Sequence, residues 1–301
     1  MKKKISIIVP AYNEEENVVA LLSSIFLQKN TNFVINEILL LLDGCSDETY
    51  VRSKSLDNKK IKIINGKKRI GKSARINQGF QKATSEIIVL LDGDVRLFSK
   101  YTLSHLVACF LAHKNVGLVS GRAIPDLGNT FIEKAIYTSI KPYEELIDSY
   151  NAGNNIFACK GVLLAVSRKF AKQVMIPNEI FANDAYLYFS CLQKGYSFRY
   201  AKKATVLYYL PKTISDHIKQ NSRFIAGGAS MEHIFGDIVT NEFRHARPIL
   251  IKKLIKQFIH FPLESTAIFL LNTYCRILLY INSVFIIQTW SVASSTKRKN
   301  I

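Results

Sequence analysis

The stretch IIVLLDGDVRLF, residues 87–98, is the most informative part of this 301-residue sequence. Five consecutive apolar residues lead into Asp92-Gly93-Asp94, and the chain then becomes apolar again. A short continuous apolar run of this kind is typical of a strand that is buried on both faces. Carboxylates at its end predict a site for Mg²⁺ or Mn²⁺, because these ions bind one or two carboxylates together with substrate phosphates. An isolated Asp-Gly-Asp can also be a solvated turn, so the surrounding sequence has to decide.

Short apolar runs alternate with helix-like segments through the first half of the chain. We predict strands at 5–10, 37–42, 60–65, 86–91 and 116–121, and helices near 15–29, 46–56, 72–83 and 99–113. This alternation predicts an α/β fold with a Rossmann-like, mostly parallel sheet that is covered by helices on both faces. Ligands of such sheets bind at the carboxyl ends of the strands. We therefore expect the polar residues that follow each strand to form a binding rim.

In the second half of the chain, the alternation of predicted strands and helices is less regular. The expected elements are an amphipathic helix at 129–150 interrupted at Pro142, a strand or hairpin at 157–168, a helix at 182–194 and one or two strands at 196–209. We find no internal repeat and no clear linker. We predict one catalytic domain over residues 1–235 and a separate helical region over 236–301.

The region after residue 236 is both basic and apolar. Arg247, Lys252, Lys253 and Lys256 lie among Ile, Leu and Phe at helical intervals, a pattern typical of helices on anionic membrane surfaces. Residues 266–290 lack acidic residues and are long enough for one membrane span. Because Arg276 and the following KRK oppose a single crossing, a shallow hairpin or interfacial helices fit better. A helical cap packed on a soluble core is the alternative.

The overall charge limits the classes of partner. A net charge of +18 suits phosphorylated substrates, an anionic membrane or nucleic acid. The aromatic residues are not interleaved with basic ones on a candidate nucleic-acid face, so we predict no nucleic-acid partner. The five cysteines lack metal-ligand spacing and are expected to be reduced. The first apolar run is too short for a signal peptide, which predicts a location at the cytoplasmic face of the membrane.

A second motif offers a different function. GKKRIGKS, residues 66–73, matches the phosphate-binding P-loop, follows a predicted strand and opens a predicted helix. It would make the protein a nucleotide kinase or ATPase. The strand is the third in the chain, however, and Lys67, Lys68 and Arg69 are an unusual charge load for a loop that wraps phosphate with its backbone.

Six motifs together resemble the family 2 glycosyltransferases, which have the GT-A fold. They are SIIVPAYNEEENV, LLDGCSDET, GKSARINQG, LLDGDV, FANDAYL around Asp184 and QNSRF at 220–224, in the family's order over residues 5–230. No single motif is decisive, but six in order are specific. In this family the GKSA segment is not a P-loop. The resemblance implies an inverting enzyme that uses a nucleotide-diphosphate sugar and a divalent metal.

The resemblance also implies roles for particular residues. Asp184 corresponds to the catalytic base, and Asp94 and Asp92 correspond to the metal-binding carboxylates, with Asp92 also near the ribose. The nucleotide-sugar contacts would be Pro10, Ala11, Tyr12, Asn13, Glu14, Asp43, Lys72, Asp92, Gln220 and Arg223. Asp43 resembles the acid that reads uracil. The sequence departs from the family pattern at Leu42, Asn183 and Phe224, where an acid, a Glu and a Trp are usual.

The implied reaction moves a sugar, with a UDP-sugar as the expected donor, to an acceptor hydroxyl. The basic, apolar C-terminal region favours a glycan or lipid-linked acceptor near a membrane. Since the chain has room for at most one or two spans, addition of one or a few sugars is expected rather than long-chain export. A non-catalytic membrane-binding module is the remaining alternative, and it would not need Asp94 or Asp184.

Overall fold

The computed structural model describes residues 2–281 and residue 296. The strands are β1 Lys3–Ala11, β2 Phe33–Asp43, β3 Ile61–Gly66, β4 Ile87–Leu91, β5 Arg96–Leu97, β6 Val116–Asp126, β7 Leu163–Ser167 and β8 Ser197–Tyr209. The helices are α1 Val18–Phe26, α2 Thr49–Lys54, α3 Lys72–Lys82, α4 Thr102–Ala112, α5 Phe131–Ser149, α6 Arg168–Ala171, α7 Asn183–Gln193, α8 Ile214–Phe235, α9 Asp237–His260 and α10 Pro262–Ile281. Short 3₁₀ turns occupy Asn151–Gly153 and Ile156–Ala158.

All eight strands belong to one mixed sheet in the order β3-β2-β1-β4-β7-β6-β8-β5. Strands β3, β2, β1 and β4 run parallel to one another. Strand β7 is antiparallel to both β4 and β6, and β5 is antiparallel to β8. The parallel half agrees with the prediction from the sequence. Because β7 runs the other way, its first residues lie at the same edge as the carboxyl ends of β1, β2 and β4.

The apolar strands pack on both of their faces, as their continuous hydrophobic runs predict. In β4, Ile88 and Leu90 belong to the core that includes α3 and α7, whereas Val89 and Leu91 belong to the core under α1 and α4. All four side chains are at most 1% exposed. The helices therefore cover both faces of the sheet and leave its carboxyl edge for binding.

Two elements differ from the prediction. Helix α5 is continuous through Pro142, although proline removes one helical hydrogen bond. A complete capping box between Thr130 and Glu133 starts this helix, and buried residues on both sides of the proline hold it together. The predicted strand or hairpin at 157–168 is the single strand β7 preceded by a 3₁₀ turn.

The C-terminal helices pack on the rest of the chain through one face only. Glu242 of α9 accepts hydrogen bonds from the Tyr188 hydroxyl (2.9 Å) and the Ile156 amide (3.1 Å), and Val239 and Ala246 enter the main core. None of the helices in residues 2–281 is long and apolar enough to cross a membrane. The predicted apolar segment 266–290 extends beyond the described residues from 282 onward, and the division of the chain at residue 235 stays a prediction.

Candidate active site

The Asp92-Gly93-Asp94 turn lies at the carboxyl end of β4, in contact with the corners of two neighbouring strands. The amide of Asp92 donates to the carbonyl of Val162, immediately before β7, at 3.4 Å. A Cβ atom placed on Gly93 would lie 2.8 Å from Cγ of Glu14. Glycine is therefore needed where this turn passes the corner after β1. The turn brings the ends of β1, β4 and β7 together.

Cationic side chains surround the two carboxylates of this turn. The Lys72 ammonium, at the start of α3, lies 2.5 Å from Oδ1 of Asp92. Burial lowers the pKa of Arg223 on α8, Asp94 and Asp92 raise it, and Arg69 lowers it. These five side chains therefore lie within electrostatic range of one another. Three cations, Lys72, Arg69 and Arg223, thus accompany the carboxylates of the turn, and such cations suit a bound anion.

The donor atoms of the turn fit a divalent metal. Oδ1 of Asp92 is buried and has no hydrogen-bond donor among the described residues, although the Lys72 ammonium forms an ion pair with it. No group of three or more His, Cys, Asp or Glu side chains that could hold a metal converges in residues 2–281, at this turn or away from it. Two carboxylates alone suit Mg²⁺ or Mn²⁺, which take their remaining ligands from phosphate and water.

Asp43 fixes the loop between β3 and α3. Its Oδ1 accepts hydrogen bonds from the Ile70 amide (2.8 Å) and Nε of Arg75 (2.9 Å), and its Oδ2 accepts one from the Gly71 amide (3.0 Å). The side chains of Asp43 and Arg75 are each only 5% exposed. Asp43 therefore positions the loop that leads to Lys72. Its predicted contact with the nucleotide stays a prediction.

This arrangement does not support the P-loop alternative for residues 66–73. A P-loop uses the backbone N–H groups of its loop to surround phosphate. Here the amides of Ile70 and Gly71 donate to Asp43 instead, and Lys72 pairs with Asp92. The motif has the spacing of a P-loop but a different set of hydrogen bonds.

The predicted nucleotide corner, Pro10 to Glu14, is held by the loop after β2. Asn13 has a φ of 53° and exchanges two hydrogen bonds with Ser46, at 2.9 and 3.1 Å. The Glu14 amide donates to the Thr49 hydroxyl at 2.7 Å. The Arg69 guanidinium lies over the Tyr12 ring, 4.0 Å from its centroid. Hydrogen bonds thus fix the backbone of this corner, and Arg69 stacks on the ring of Tyr12.

Asp184 lies in the first turn of α7 and is oriented by backbone amides. Its Oδ2 accepts from the Gly161 amide at 3.0 Å, and its Oδ1 accepts from the Ala185 amide at 2.9 Å. Gly161 is next to Val162, which bonds to Asp92. Gly161, which holds the Asp184 carboxylate, and Val162, which holds the Asp92 turn, are therefore consecutive residues.

A second connection joins Asp184 to the donor side of the site. The Ser73 hydroxyl lies 2.8 Å from Oδ1 of Asn183 and 2.8 Å from the carbonyl of Ile180. Ser73 follows Lys72 and Asn183 precedes Asp184. Because the hydroxyl has a single proton, it donates to one of these oxygens at a time. This contact fixes the start of α3, which carries Lys72, relative to the start of α7, which carries Asp184.

Helix α8 supplies the last predicted residues. Arg223 faces the turn, whereas Gln220 is half-buried and makes no hydrogen bond within the described part of the chain. Phe224, which stands where the family usually has Trp, is 66% exposed. A Cβ on Gly227 would lie 2.8 Å from Cβ of Ala182, so α8 packs tightly against the start of α7.

The sequence reasoning missed four residues of this site: Arg69, Ser73, Arg75 and Gly161. The first three lie inside the GKKRIGKS and GKSARINQG motifs, so their polar character was a usable signal. Gly161 gave no signal, because its role is a backbone amide that almost any residue has. The structure brings Asp43, Lys72, Asp92, Asp94, Asp184 and Arg223 to one edge of the sheet.

Comparison with known proteins agrees with this geometry. The family model described as Glycosyl transferase family 2 matches residues 6–172. The dolichol-phosphate mannosyltransferase of Pyrococcus furiosus is 34% identical over 95 residues, which are 31% of this chain and 26% of that protein. The poly-beta-1,6-N-acetyl-D-glucosamine synthase of Staphylococcus aureus is 22% identical over 249 residues, 79% of this chain and 58% of the synthase. The matched part of this chain thus covers about a quarter of the mannosyltransferase and little more than half of the synthase.

Solved structures show the same fold. The mannosyltransferase PcManGT of Pyrobaculum calidifontis, in complex with GDP-Man and Mn²⁺, superposes with a TM-score of 0.61 at 18% identity, covering 98% of this chain and 86% of that one. Residues 1–349 of Staphylococcus aureus TarS superpose with a TM-score of 0.53 at 19% identity, covering 87% and 72%. At these identities the likeness concerns the fold, and it agrees with a GT-A sheet.

Proposed function

The chain belongs to glycosyl transferase family 2, and on this basis we propose that it transfers a sugar from a UDP-sugar to an acceptor hydroxyl with inversion at the anomeric carbon. The observation that carries the proposal is the convergence of Asp92, Asp94, Lys72 and Arg223 beside Asp184. Carboxylates for a metal, cations for a diphosphate and a base with a fixed orientation are the groups that this reaction needs.

In the proposed reaction, Asp184 takes the proton of the acceptor hydroxyl. The acceptor oxygen forms its bond to the anomeric carbon from the side opposite the diphosphate, and the bond from that carbon to the diphosphate oxygen breaks. The amides of Gly161 and Ala185 keep the carboxylate in place during this step. Lys72 and Arg223 interact with the negative charge on the departing nucleoside diphosphate.

A divalent cation, Mg²⁺ or Mn²⁺, would be held by Asp94 and Asp92 and would supply Lewis-acid stabilisation of the diphosphate. The ion would add two positive charges beside Lys72 and Arg223, which complements the negative charge of a nucleoside diphosphate leaving group. Uracil as the base is supported by Asp43. Its Oδ2 accepts one hydrogen bond in the structure and has capacity for another, as from the imide N–H.

Asp184→Asn tests this proposal. The variant keeps the oxygen that accepts from Gly161 but loses the base, so UDP affinity should stay within about twofold while transfer falls at least about 100-fold. Glu86→Gln, an exposed acid at the opposite edge of the sheet, is the matched control and should keep full activity. Activity of Asp184→Asn near the parent level would refute the base assignment. Binding of UDP and ATP, with and without Mn²⁺, would expose an ATP-dependent protein instead.

We also propose that the protein docks on the cytoplasmic face of an anionic membrane through α9 and α10. On α9 the face opposite the core contact is apolar and exposed, with Ile251, Leu254, Ile255, Phe258 and Ile259 each at least 40% exposed. Helix α10 also exposes large apolar side chains, with Leu263, Phe269, Leu270, Tyr274, Ile277 and Tyr280 at 49–86% exposure. Patches of this size on a soluble surface are unusual, and they mark interaction sites.

Basic side chains accompany this apolar surface. Arg244, Arg247, Lys252 and Lys256 on α9 are all exposed, as is Arg276 on α10. Exposed apolar residues flanked by cations complement the interface of a bilayer that contains anionic lipids. Docking there would place the site near a lipid-linked or membrane-proximal glycan acceptor, to which one or a few sugars are added.

Vesicle sedimentation tests the docking. The full chain should sediment with phosphatidylglycerol-containing vesicles and much less with pure phosphatidylcholine vesicles. Lys252→Glu combined with Lys256→Glu should lower the bound fraction at least about fivefold, whereas Lys169→Glu, an exposed change on α6, should not. Equal binding to both kinds of vesicle, or none to either, would refute an anionic membrane as the partner.

A further inference from the structure

A cavity lies between α5, the middle of β6 and strand β8, and the segment that carries Lys160 before β7 closes one side of it. Its lining includes Arg122, Glu144, Lys160, Lys202, Tyr200 and Tyr208. It is separate from the Asp92-Gly93-Asp94 turn, and none of the predicted site residues lines it. We refer to it as the α5 cavity.

The α5 cavity is joined to the proposed base by two consecutive residues. The Lys160 amide donates to the Ser120 hydroxyl at 3.1 Å, which fixes the backbone at the cavity wall. The next amide, that of Gly161, donates to Oδ2 of Asp184 at 3.0 Å. The wall of the cavity and the Asp184 carboxylate are therefore held by consecutive residues of one segment.

The charged groups of the cavity converge without pairing across it. Lys202 is paired with Asp148 at 2.7 Å, which satisfies both. In contrast, none of the ion pairs in the described part of the chain involves Arg122, Glu144 or Lys160. Burial raises the pKa of Glu144, while Lys141, Arg122 and Lys160 lower it, so these cations surround the carboxylate at more than contact distance.

The tyrosines add neutral groups to this lining. Burial raises the pKa of Tyr200 to about 12, against the opposing effect of Arg122. Its phenol is therefore protonated at neutral pH and can donate a hydrogen bond. The cavity holds only about 40 Å³, so its cations and the Tyr200 hydroxyl suit a single charged substituent, a carboxylate or a phosphate, of a sugar that lies at its mouth.

We propose that the α5 cavity is an acceptor subsite that binds a carboxylate or phosphate group of the acceptor through Arg122 and Lys160. This assignment rests on the proposed function only in placing the acceptor hydroxyl at Asp184. Of the charged residues that line the cavity, three are cations (Arg122, Lys160 and Lys202) and two are acids (Glu144 and Asp148), and the excess of one positive charge is balanced by an anionic group of the ligand. Glu144 then accepts a hydrogen bond from a hydroxyl group of the same sugar.

The test is a binding titration of the full chain, with saturating UDP and Mg²⁺ to block the donor side. The three probes are methyl glucuronide, glucose 6-phosphate and the neutral methyl glucoside, followed by ligand-detected NMR. At least one anionic probe should bind about ten times more tightly than the neutral one. Arg122→Ala and Lys160→Ala should each weaken that probe at least about tenfold, and Lys169→Ala should leave it unchanged. Thermal melting verifies that each variant is folded.

The outcomes separate this inference from the proposed function. If the parent hydrolyses a UDP-sugar but binds all three probes equally, or if both alanine variants bind like the parent, the subsite is wrong and the glycosyltransferase proposal stands. If an anionic probe binds through Arg122 and Lys160 but no UDP-sugar is turned over, the cavity binds anions and the proposed function fails. Preference between glucuronide and glucose 6-phosphate identifies the group as a carboxylate or a phosphate.

Discussion

The buried ion pair between Asp43 and Arg75 allows a quantitative test of how the site is held together. Asp43→Ala removes the acceptor of three hydrogen bonds and leaves the Arg75 guanidinium buried without a counter-ion. Removing one partner of a buried ion pair costs about 3–5 kcal/mol. Arg75 keeps hydrogen bonds to Gln78 and to the carbonyl of Lys68, both at 3.0 Å, which places the expected cost near the lower limit, about 3 kcal/mol.

A surface ion pair of similar length gives the matched control. Lys3 and Glu86 are 2.7 Å apart, but their side chains are 42% and 72% exposed, against 5% for Asp43 and Arg75. Glu86→Ala should therefore cost only about 0–1 kcal/mol. Urea unfolding at pH 7, followed by circular dichroism, gives the free energy of unfolding of each variant.

A double-mutant cycle separates the pair from the rest of the structure. Asp43→Ala and Arg75→Ala together should cost less than the sum of the two single changes, by about 1.5–3 kcal/mol, because the second change removes the unpaired charge that the first creates. The reasoning is wrong if Asp43→Ala destabilises the protein no more than Glu86→Ala. It is also wrong if the two single effects are additive, since the pair would then carry no coupling.

Three further predictions concern neighbouring groups. Lys72→Met should weaken UDP binding in calorimetry about tenfold or more, since it removes one cation beside Asp92; unchanged affinity would contradict its contact with the diphosphate. Burial alone would raise the pKa of Glu37, but its hydrogen bonds lower it from 4.5 to about 2. Glu37 therefore stabilises the fold above pH 4.5, and this stability is lost as the pH falls towards 2. Glu37→Gln should lose on the order of 3 kcal/mol in unfolding at pH 7 and show a smaller change between pH 6 and pH 3 than the parent. Gly44→Ala should destabilise the protein by about 1–3 kcal/mol, because φ is +69° and the new Cβ would lie 2.7 Å from the Arg69 amide; a neutral effect in urea unfolding would refute this.

The sequence predicted those parts of the fold that depend on local pattern. The continuous apolar run before Asp92 specified a buried strand, and the alternation of strands and helices specified the parallel half of the sheet. The direction of β7 is not encoded in an apolar run, so its antiparallel pairing with β4 was not predicted. The two-residue strand β5 is too short to give any periodicity.

The sequence likewise predicted some features of the site and not others. Polar residues at strand ends, such as Asp43 and Asp92, were identifiable because carboxyl ends of parallel strands meet at one edge. What the sequence did not show is how these groups interact. Asp43 was expected to face the nucleotide, yet most of its hydrogen-bonding capacity is used within the protein. The cations around Glu144 come from three separate segments, and only the folded chain brings them together.

The C-terminal helix α9 shows why charge and hydropathy along a sequence were insufficient. Its pattern predicted one apolar face for a membrane, but the helix has two. Val239 and Ala246 lie on a face that packs into the core, and Ile251, Ile255 and Phe258 lie on a face that is exposed. Two apolar faces on opposite sides of one helix obscure its amphipathic pattern in the sequence. Only the packing therefore distinguishes the face that is buried in the core from the one that is exposed.

The start of α3 connects the two halves of the proposed chemistry. Lys72 contacts the carboxylate that would help to hold the metal, and the next residue, Ser73, contacts Asn183 beside the proposed base. The loop before this helix is fixed in turn by Asp43. A displacement of α3 by even a fraction of an ångström would therefore move the diphosphate contact and the base in concert. In the proposed reaction, this coupling would maintain the distance between the nucleophile and the leaving group, on which an in-line displacement depends.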